Sequence, residues 1–210
     1  READSGGENA EPPTSGGRSL GNILGRAAGL ANCEIAGYRH TSDDFAAPKV
    51  PAMSVSLRPG DLTLVTGGSG FLGSAVVRAL IGRGVRVRAL VRAASPRANL
   101  VGLDCEVVVG DLTDRRSLEA ALKGVRYLFH VAADYRLWAR DPSEIIRANV
   151  EGTLNLKREA LAAGVERIVY TSNVAALRVA GATAPVDETA ALAAHEAIGA
   201  YKRSKTMAER

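Results

Sequence analysis

The stretch from Asp61 to Arg92 constrains this chain more than any other. Asp61-Leu-Thr-Leu-Val-Thr66 predicts a short buried strand of β-branched and apolar residues. Gly67-Gly-Ser-Gly-Phe-Leu-Gly73 then places glycine at the first, fourth and seventh positions, and Ser74 to Ile81 predicts a helix. Val85-Arg-Val-Arg-Ala-Leu-Val91 predicts a second strand. Strand, glycine turn, helix and strand within about thirty residues is the setting that a dinucleotide fingerprint needs. Gly67 allows the sharp turn, Gly70 lets backbone approach a pyrophosphate, and Gly73 lets the helix pack closely on the sheet. Free N–H groups at the helix start then face the phosphates.

Composition narrows the alternatives. A chain of 210 residues has room for one domain and a tail, and 46% hydrophobic residues suffice for a core. The net charge of +4 is modest, and no aromatic residues interleave the scattered arginines, so nucleic acid is not an expected partner. Cys33 and Cys105 are too few for a disulfide scaffold, which makes the cytoplasm the expected location. The three histidines and two cysteines lack metal-ligand spacing, so no metal is expected. No apolar run has the length of a membrane span, and no secretory leader is visible.

The first 60 residues read differently from the rest. Glu11-Pro-Pro-Thr-Ser-Gly-Gly17 and Ala46-Ala-Pro-Lys-Val-Pro51 have linker composition, and Leu20 to Ile35 could form one frayed helix. Residues 1–60 are therefore expected to be a low-complexity, mobile extension, and residues 61–210 the folded domain. The chain starts at Arg1 and stops inside a predicted helix at Arg210, so both ends are expected to be the ends of a fragment.

Beyond the second strand, Arg92 stands where an acidic residue would bind an NAD ribose, with Arg97 close behind. A guanidinium suits a 2'-phosphate, which favours NADP and leaves NAD as the alternative. Cys105-Glu-Val-Val-Val109 predicts the third strand, and Asp111 at its carboxyl end can accept from an adenine amino group. Ser117 to Leu122 predicts a short helix, and Tyr127-Leu-Phe-His-Val131 the fourth strand. Ala132 and Ala133 are small enough for a dinucleotide to cross, whereas His130 reads as a packed core histidine. A long helix follows from Asp141 to Ala163, with Asn149 inside it as a candidate buried bridge between helix and sheet. Arg167-Ile-Val-Tyr-Thr-Ser172 predicts the fifth strand. Alternating strands and helices, with continuous apolar strands, imply an α/β fold: a Rossmann-like, doubly wound parallel sheet with helices on both faces.

Ile198 to Glu209 predicts a last helix, on which Tyr201 and Lys205 stand four apart and share a face. An ammonium beside a phenol favours the phenolate, so Lys205 is expected to lower the Tyr201 pKa and make it a usable acid or base.

Together these motifs resemble the extended short-chain dehydrogenase/reductases, and among them the NAD-dependent epimerase/dehydratase group. The resemblance rests on Thr66-Gly-Gly-Ser-Gly-Phe-Leu-Gly73, Gly110-Asp-Leu-Thr-Asp114, Phe129-His-Val-Ala-Ala133, Asn149-Val-Glu-Gly-Thr153, Tyr170-Thr-Ser-Asn173 and Tyr201-Lys-Arg-Ser-Lys205. His130 to Arg140 is most similar to the hopanoid-associated sugar epimerases, which are close to dihydroflavonol reductases. The resemblance covers residues 61–210. It implies that Gly67, Gly70, Phe71, Leu72 and Gly73 bind pyrophosphate and that Arg92 discriminates the ribose phosphate. It implies further that Asp111 and Leu112 border the adenine, and that Val131, Ala132 and Ala133 line the cofactor path with Asn149 as the structural asparagine. Tyr201 would be the acid/base, and Lys205 would support it while holding the nicotinamide ribose. A homodimer through two paired helices is an expectation of the same kind.

One position departs from the family pattern. Where the family places a serine or threonine to hold the substrate oxygen, this chain has Asn173, with Ser172 before it. Side chains alternate along a strand, so Ser172 is expected to face away, while the Asn173 amide can still donate to a carbonyl. The family's substrate domain and last strands lie beyond the tyrosine–lysine helix, so the fold is expected to be truncated before them. Three activities remain open: a sugar or nucleotide-sugar epimerase using hydride transfer, an NADPH-dependent ketone reductase, and a non-catalytic dinucleotide sensor.

Overall fold

The structure, a computed structural model, describes residues 56–179, 181 and 184–209. The expected extension, including Leu20 to Ile35, lies outside the described residues as far as residue 55. Within the described part of residues 1–60, Leu57 packs against the core and the Gly60 N–H donates to Gly84 O at 3.0 Å.

The strands are β1 (Leu62–Thr66), β2 (Arg86–Val91), β3 (Glu106–Val109), β4 (Tyr127–His130) and β5 (Arg167–Tyr170). They form one sheet in the order β3-β2-β1-β4-β5, every pair parallel. The order reverses between β1 and β4, so the crevice at their carboxyl ends is the topological switch point where ligands of such sheets bind.

Register decides which side chains meet. Leu64 pairs with Leu128 and Thr66 with Leu90, which puts all four on one face. There Leu64, Leu90 and Leu128 pack against Leu118 and Leu122 of α2 (Arg115–Leu122) and against Leu156 and Ala160 of α4 (Gly152–Ala162). Val65, Val87, Ala89 and Val91 point the other way and pack against Val77 and Leu80 of α1 (Phe71–Ile81). Each fully buried Leu or Val contributes about 1.5–3 kcal/mol, so these two layers dominate stability. At the amino end of the sheet, Arg126 pairs with Asp61 at 2.9 Å and Glu166 at 2.6 Å in a partly open position.

Several boundaries differ from the sequence expectation. Helix α1 starts at Phe71 rather than Ser74, because extended Gly70 (φ −75°, ψ 174°) caps it. Asp114 accepts the Arg116 N–H and starts α2 two residues early. Strand β5 ends at Tyr170, and Asn173 then caps a single 3₁₀ turn, Val174–Ala176. The long helix is not uniform: α3 (Ser143–Ile146) widens into a π turn at Arg147–Glu151 before α4. Gly152 follows this turn, and a Cβ there would lie 2.8 Å from Leu112 Cβ. The last helix, α5 (Ala200–Glu209), packs on α3, the π turn and the 3₁₀ turn. Among the described residues, no helix is long and apolar enough to cross a membrane.

Candidate dinucleotide cradle and active site

The glycine turn leaves β1 at Gly67, whose φ of +68° suits only glycine without strain. A Cβ at Gly67 would also lie 2.9 Å from Ala132 Cα, so the β1 and β4 exits touch backbone to backbone. A Cβ at Gly73 would collide with the Gly67 carbonyl oxygen, which ties the first turn of α1 directly to the strand end. The nearest atom to a Cβ at Gly70 would be Gly67 O at 3.3 Å, leaving that side far less crowded. The Phe71 and Leu72 N–H groups precede the helix's own hydrogen-bond ladder, and no acidic residue occupies its first turn. That combination leaves the positive end of the helix dipole available to an anion. A pyrophosphate therefore fits this cradle.

A brace around the turn was not read from the sequence. Asn99 Nδ2 donates to Ser69 O at 2.9 Å, while Arg78 donates to Asn99 O at 2.9 Å and to Ser74 Oγ at 3.2 Å. These contacts join the segment after β2 to the glycine turn. No local pattern announces the two Asn99 contacts, because their partners lie far away in sequence, whereas Arg78 and Ser74 are one helical turn apart.

Arg92, expected at the ribose phosphate, is exposed immediately after β2. Asp111 follows β3, and its Oδ1 accepts from the Thr113 hydroxyl at 2.7 Å and the Thr113 N–H at 2.8 Å. Those bonds, with a smaller effect of the Arg92 charge and against the effect of burial, hold the Asp111 carboxyl below its ordinary range. Leu112 packs on the core and fills the space opposite Gly152.

The floor between the strand exits is a buried polar chain. Thr66 Oγ1 lies 2.7 Å from His130 Nδ1, and His130 Nε2 lies 2.9 Å from Thr153 Oγ1. Thr66 Oγ1 also accepts the N–H groups of Val131 at 3.2 Å and Ala132 at 3.1 Å. Burial first, then the charges of Lys205 and Lys157, push the His130 pKa down to about 3. His130 is thus a neutral core histidine, as expected from its apolar strand. Ala133 continues the path beyond Ala132, half-buried.

Asn149 corrects the sequence reading. It joins the π turn not to the sheet but to the loop after β4 and to α5. Its Oδ1 accepts the Asp134 N–H at 2.7 Å, and its Nδ2 donates to Asp134 O and to Ser204 Oγ, both at 2.9 Å. Ser204 Oγ in turn donates to Tyr201 O at 2.7 Å. The wider π turn sits where this side chain turns inward, a common association with functional sites.

The structure brings Tyr201 and Asn173 into contact. Asn173 Nδ2 donates to Tyr201 Oη at 3.2 Å, while Asn173 Oδ1 accepts the Ala175 N–H at 2.8 Å. Ser172 Oγ is buried without a partner, so Asn173 rather than Ser172 stands at the tyrosine. Lys205 overturns a second expectation. Its buried ammonium donates to Tyr170 Oη and Thr171 O, both at 2.8 Å, and lies 4.3 Å from the Tyr170 ring centre. Spent on the end of β5, it does not draw the Tyr201 pKa down; burial raises that pKa instead. Burial also pushes Lys205 down to about 8, against the opposing charge of Glu209. Tyr170 was read only as a strand aromatic, because a hydroxyl's partner across two elements leaves no trace in local sequence.

Known proteins match this chain in sequence and in fold. The family model described as the NAD dependent epimerase/dehydratase family matches residues 63–210. A Synechocystis sp. protein provisionally named dihydroflavonol 4-reductase is 48% identical over 149 residues, covering 71% of this chain and 43% of its own. The crystal structure of gox2253 matches with a TM-score of 0.65 at 56% identity, over 71% of this chain and 46% of that one. A short-chain dehydrogenase/reductase superfamily protein from Agrobacterium tumefaciens, with NAD bound, gives a TM-score of 0.61 at 34% identity, over 70% and 43% of the two chains. The chain spans less than half the length of each of these three. Since the matched region holds the glycine turn, the buried floor and the Tyr201–Lys205 helix, the chain belongs to the NAD-dependent epimerase/dehydratase family of extended short-chain dehydrogenase/reductases.

Proposed function

We propose that this chain is the cofactor-binding and acid/base half of an NAD(P)-dependent oxidoreductase or epimerase. Its target is a hydroxyl-bearing or keto carbon of a sugar or nucleotide-sugar-like substrate. The observation that carries the proposal is the contact of Tyr201 Oη with Asn173 Nδ2, beside buried Lys205 and at the same end of the sheet as the glycine cradle. The nicotinamide, when bound, supplies or removes the hydride. Tyr201 gives or takes the hydroxyl proton, and the second N–H of the Asn173 amide is available to the substrate oxygen. Lys205 has a third N–H beyond those held by Tyr170 and Thr171, suited to a ribose hydroxyl.

A second reading, an NADPH-dependent ketone reductase, is favoured by the raised Tyr201 pKa. A phenol kept protonated is poised to donate to the oxygen of a ketone as it is reduced. It also agrees with the name of the Synechocystis relative. In full-length protein, a reductase consumes one NADPH per ketone reduced, whereas an epimerase interconverts epimers with no net change in cofactor. Net NADPH consumption would sink the epimerase reading.

For the cofactor we propose NADP, held at its 2'-phosphate by Arg92. Fluorescence titration of NADPH and NADH against the chain tests this, and tighter NADH binding would remove Arg92 as a phosphate contact. A homodimer through α4 and α5 is proposed on the exposure of Leu154, Leu161 and Met207. A monomeric mass by light scattering at micromolar concentration would reject it.

A further inference from the structure

We propose that His130 is a positioning residue for the cofactor cradle: by accepting the Thr66 hydroxyl proton at Nδ1, it leaves that oxygen's lone pairs to hold the Val131 and Ala132 N–H groups against the glycine turn. The inference deepens the dinucleotide reading and rests on it.

The reasoning is an account of hydrogen-bond capacity. A threonine hydroxyl has one proton to give and two lone pairs to accept with. Val131 N–H at 3.2 Å and Ala132 N–H at 3.1 Å take both lone pairs of Thr66 Oγ1. Its proton therefore points to His130 Nδ1, 2.7 Å away, and Nδ1 must be bare. A neutral imidazole then carries its hydrogen on Nε2, which donates to Thr153 Oγ1 at 2.9 Å. With the opposite tautomer, three donors would converge on one hydroxyl oxygen.

The consequence lies at the crevice. Ala132 Cα is 2.9 Å from the point where a Cβ of Gly67 would stand, so the Ala132 backbone sets the spacing between the β1 and β4 exits. Thr153 places the other end of the chain on α4, immediately after the π turn that holds Asn149. The groups facing His130 are the Tyr170 ring, with centres 5.4 Å apart, and the charges of Lys205 and Lys157. None of them offers Nδ1 a competing proton.

The first test is the ¹⁵N signature of the His130 ring in the cofactor-free chain at neutral pH. A hydrogen on Nε2 and a bare Nδ1 are expected; a hydrogen on Nδ1 would overturn the inference. The second compares His130→Asn with His130→Gln. Asparagine can present its amide oxygen near the Nδ1 position, whereas glutamine reaches only toward the Nε2 position. His130→Asn is expected to keep slow exchange of the Val131 and Ala132 amides and NADPH affinity within about threefold; His130→Gln is expected to lose protection and about tenfold in affinity. A residue that merely fills space would rank the two by volume, with glutamine the better substitute, and that order would overturn the proposal. If either variant fails to fold, Thr66→Ser and Thr66→Val make the same comparison, with serine retaining amide protection and valine losing it. Equal protection in both would overturn the proposal. Failure of the unaltered chain to bind NADPH or NADH would instead reject the dinucleotide reading, while the tautomer and amide exchange would still judge the hydrogen-bond account.

Discussion

The two ends of the parallel sheet place polar side chains beside the same strands in opposite ways. At the amino end, Arg126 links Asp61 to Glu166 where water still reaches all three. At the carboxyl end, Thr66, His130, Asn149, Thr153, Ser204 and Lys205 are all buried. Each of these six has a hydrogen-bond partner in another element. A screened surface pair contributes little and its loss is absorbed. A buried polar group is costly unless its partners are in place, so such a network is sensitive to any single change. The sheet thus concentrates its fragile polar contacts at the end where the cofactor is proposed to bind.

The sharpest way to test this division is Gly73→Ala. The added methyl would meet the Gly67 carbonyl oxygen, so the turn must open. NADPH affinity is expected to fall about 100-fold, since an opened turn forfeits one or two backbone N–H bonds to the pyrophosphate, each worth about 1.5–3 kcal/mol. Gly82→Ala is the matched control. Gly82 is in helical conformation at the other end of α1, and a Cβ there comes no closer than 3.4 Å to Arg78 O. Equal losses in the two variants, measured by fluorescence titration, would break the comparison.

The glycine turn was also the most legible part of the chain, for the same reason that it is intolerant. Gly67, Gly70 and Gly73 serve backbone geometry, and backbone geometry is written in local residue type and spacing. The sheet and its helices were legible from apolar runs: β1, β2 and β4 are buried on both faces, and the edge strands β3 and β5 keep β-branched residues although much of their length is exposed. The π turn was not, since Arg147-Ala-Asn-Val-Glu151 carries no local helix breaker. The Tyr201–Lys205 spacing placed both residues on one helix face correctly, but their electrostatic coupling did not follow. Where Lys205 Nζ goes is decided by Tyr170 and Thr171, more than thirty residues away in sequence. Local spacing tells which side chains can meet; the partner that wins is a tertiary matter.

Acid titration probes the buried end next. His130 titrates near pH 6.5 when unfolded and near pH 3 when folded, so the unfolded chain binds the extra proton between those values. Its contribution to stability is complete above about pH 6.5 and is lost as pH falls toward 3, with a limiting slope of about 1.4 kcal/mol per pH unit. Urea unfolding across this window is expected to show a shallower loss in His130→Asn, which has no imidazole to protonate. Parallel curves for the two proteins would mean that carboxylates alone account for the acid sensitivity.

Asn173→Ala is a smaller perturbation at the same end. It removes the acceptor for the Ala175 N–H and the donor to Tyr201 Oη together. Loss of such a cap costs about 1 kcal/mol. Asn173→Ser is expected to recover most of that stability, because serine also caps, while its shorter side chain does not reproduce the amide contact with Tyr201. If alanine and serine gave the same unfolding midpoint, the capping role of Asn173 would be refuted.

The smallest effect is expected from Arg126→Met at the amino end. Methionine keeps much of the apolar stem and removes the charge that Asp61 and Glu166 share. Asp61 retains the Arg58 N–H at 2.7 Å, and Glu166 remains half in water, so neither carboxylate is stranded. The variant should therefore melt only slightly below the unaltered chain, and high salt should narrow even that gap by screening the original pairs. NADPH affinity should not change, because β1 and β4 are held in register by their own ladder from Thr63–Tyr127 to Thr66–His130, independently of the ion pairs. A tenfold loss of affinity in Arg126→Met would show that strain at the amino end travels along β1 to Gly67, and the two ends could no longer be treated as separate.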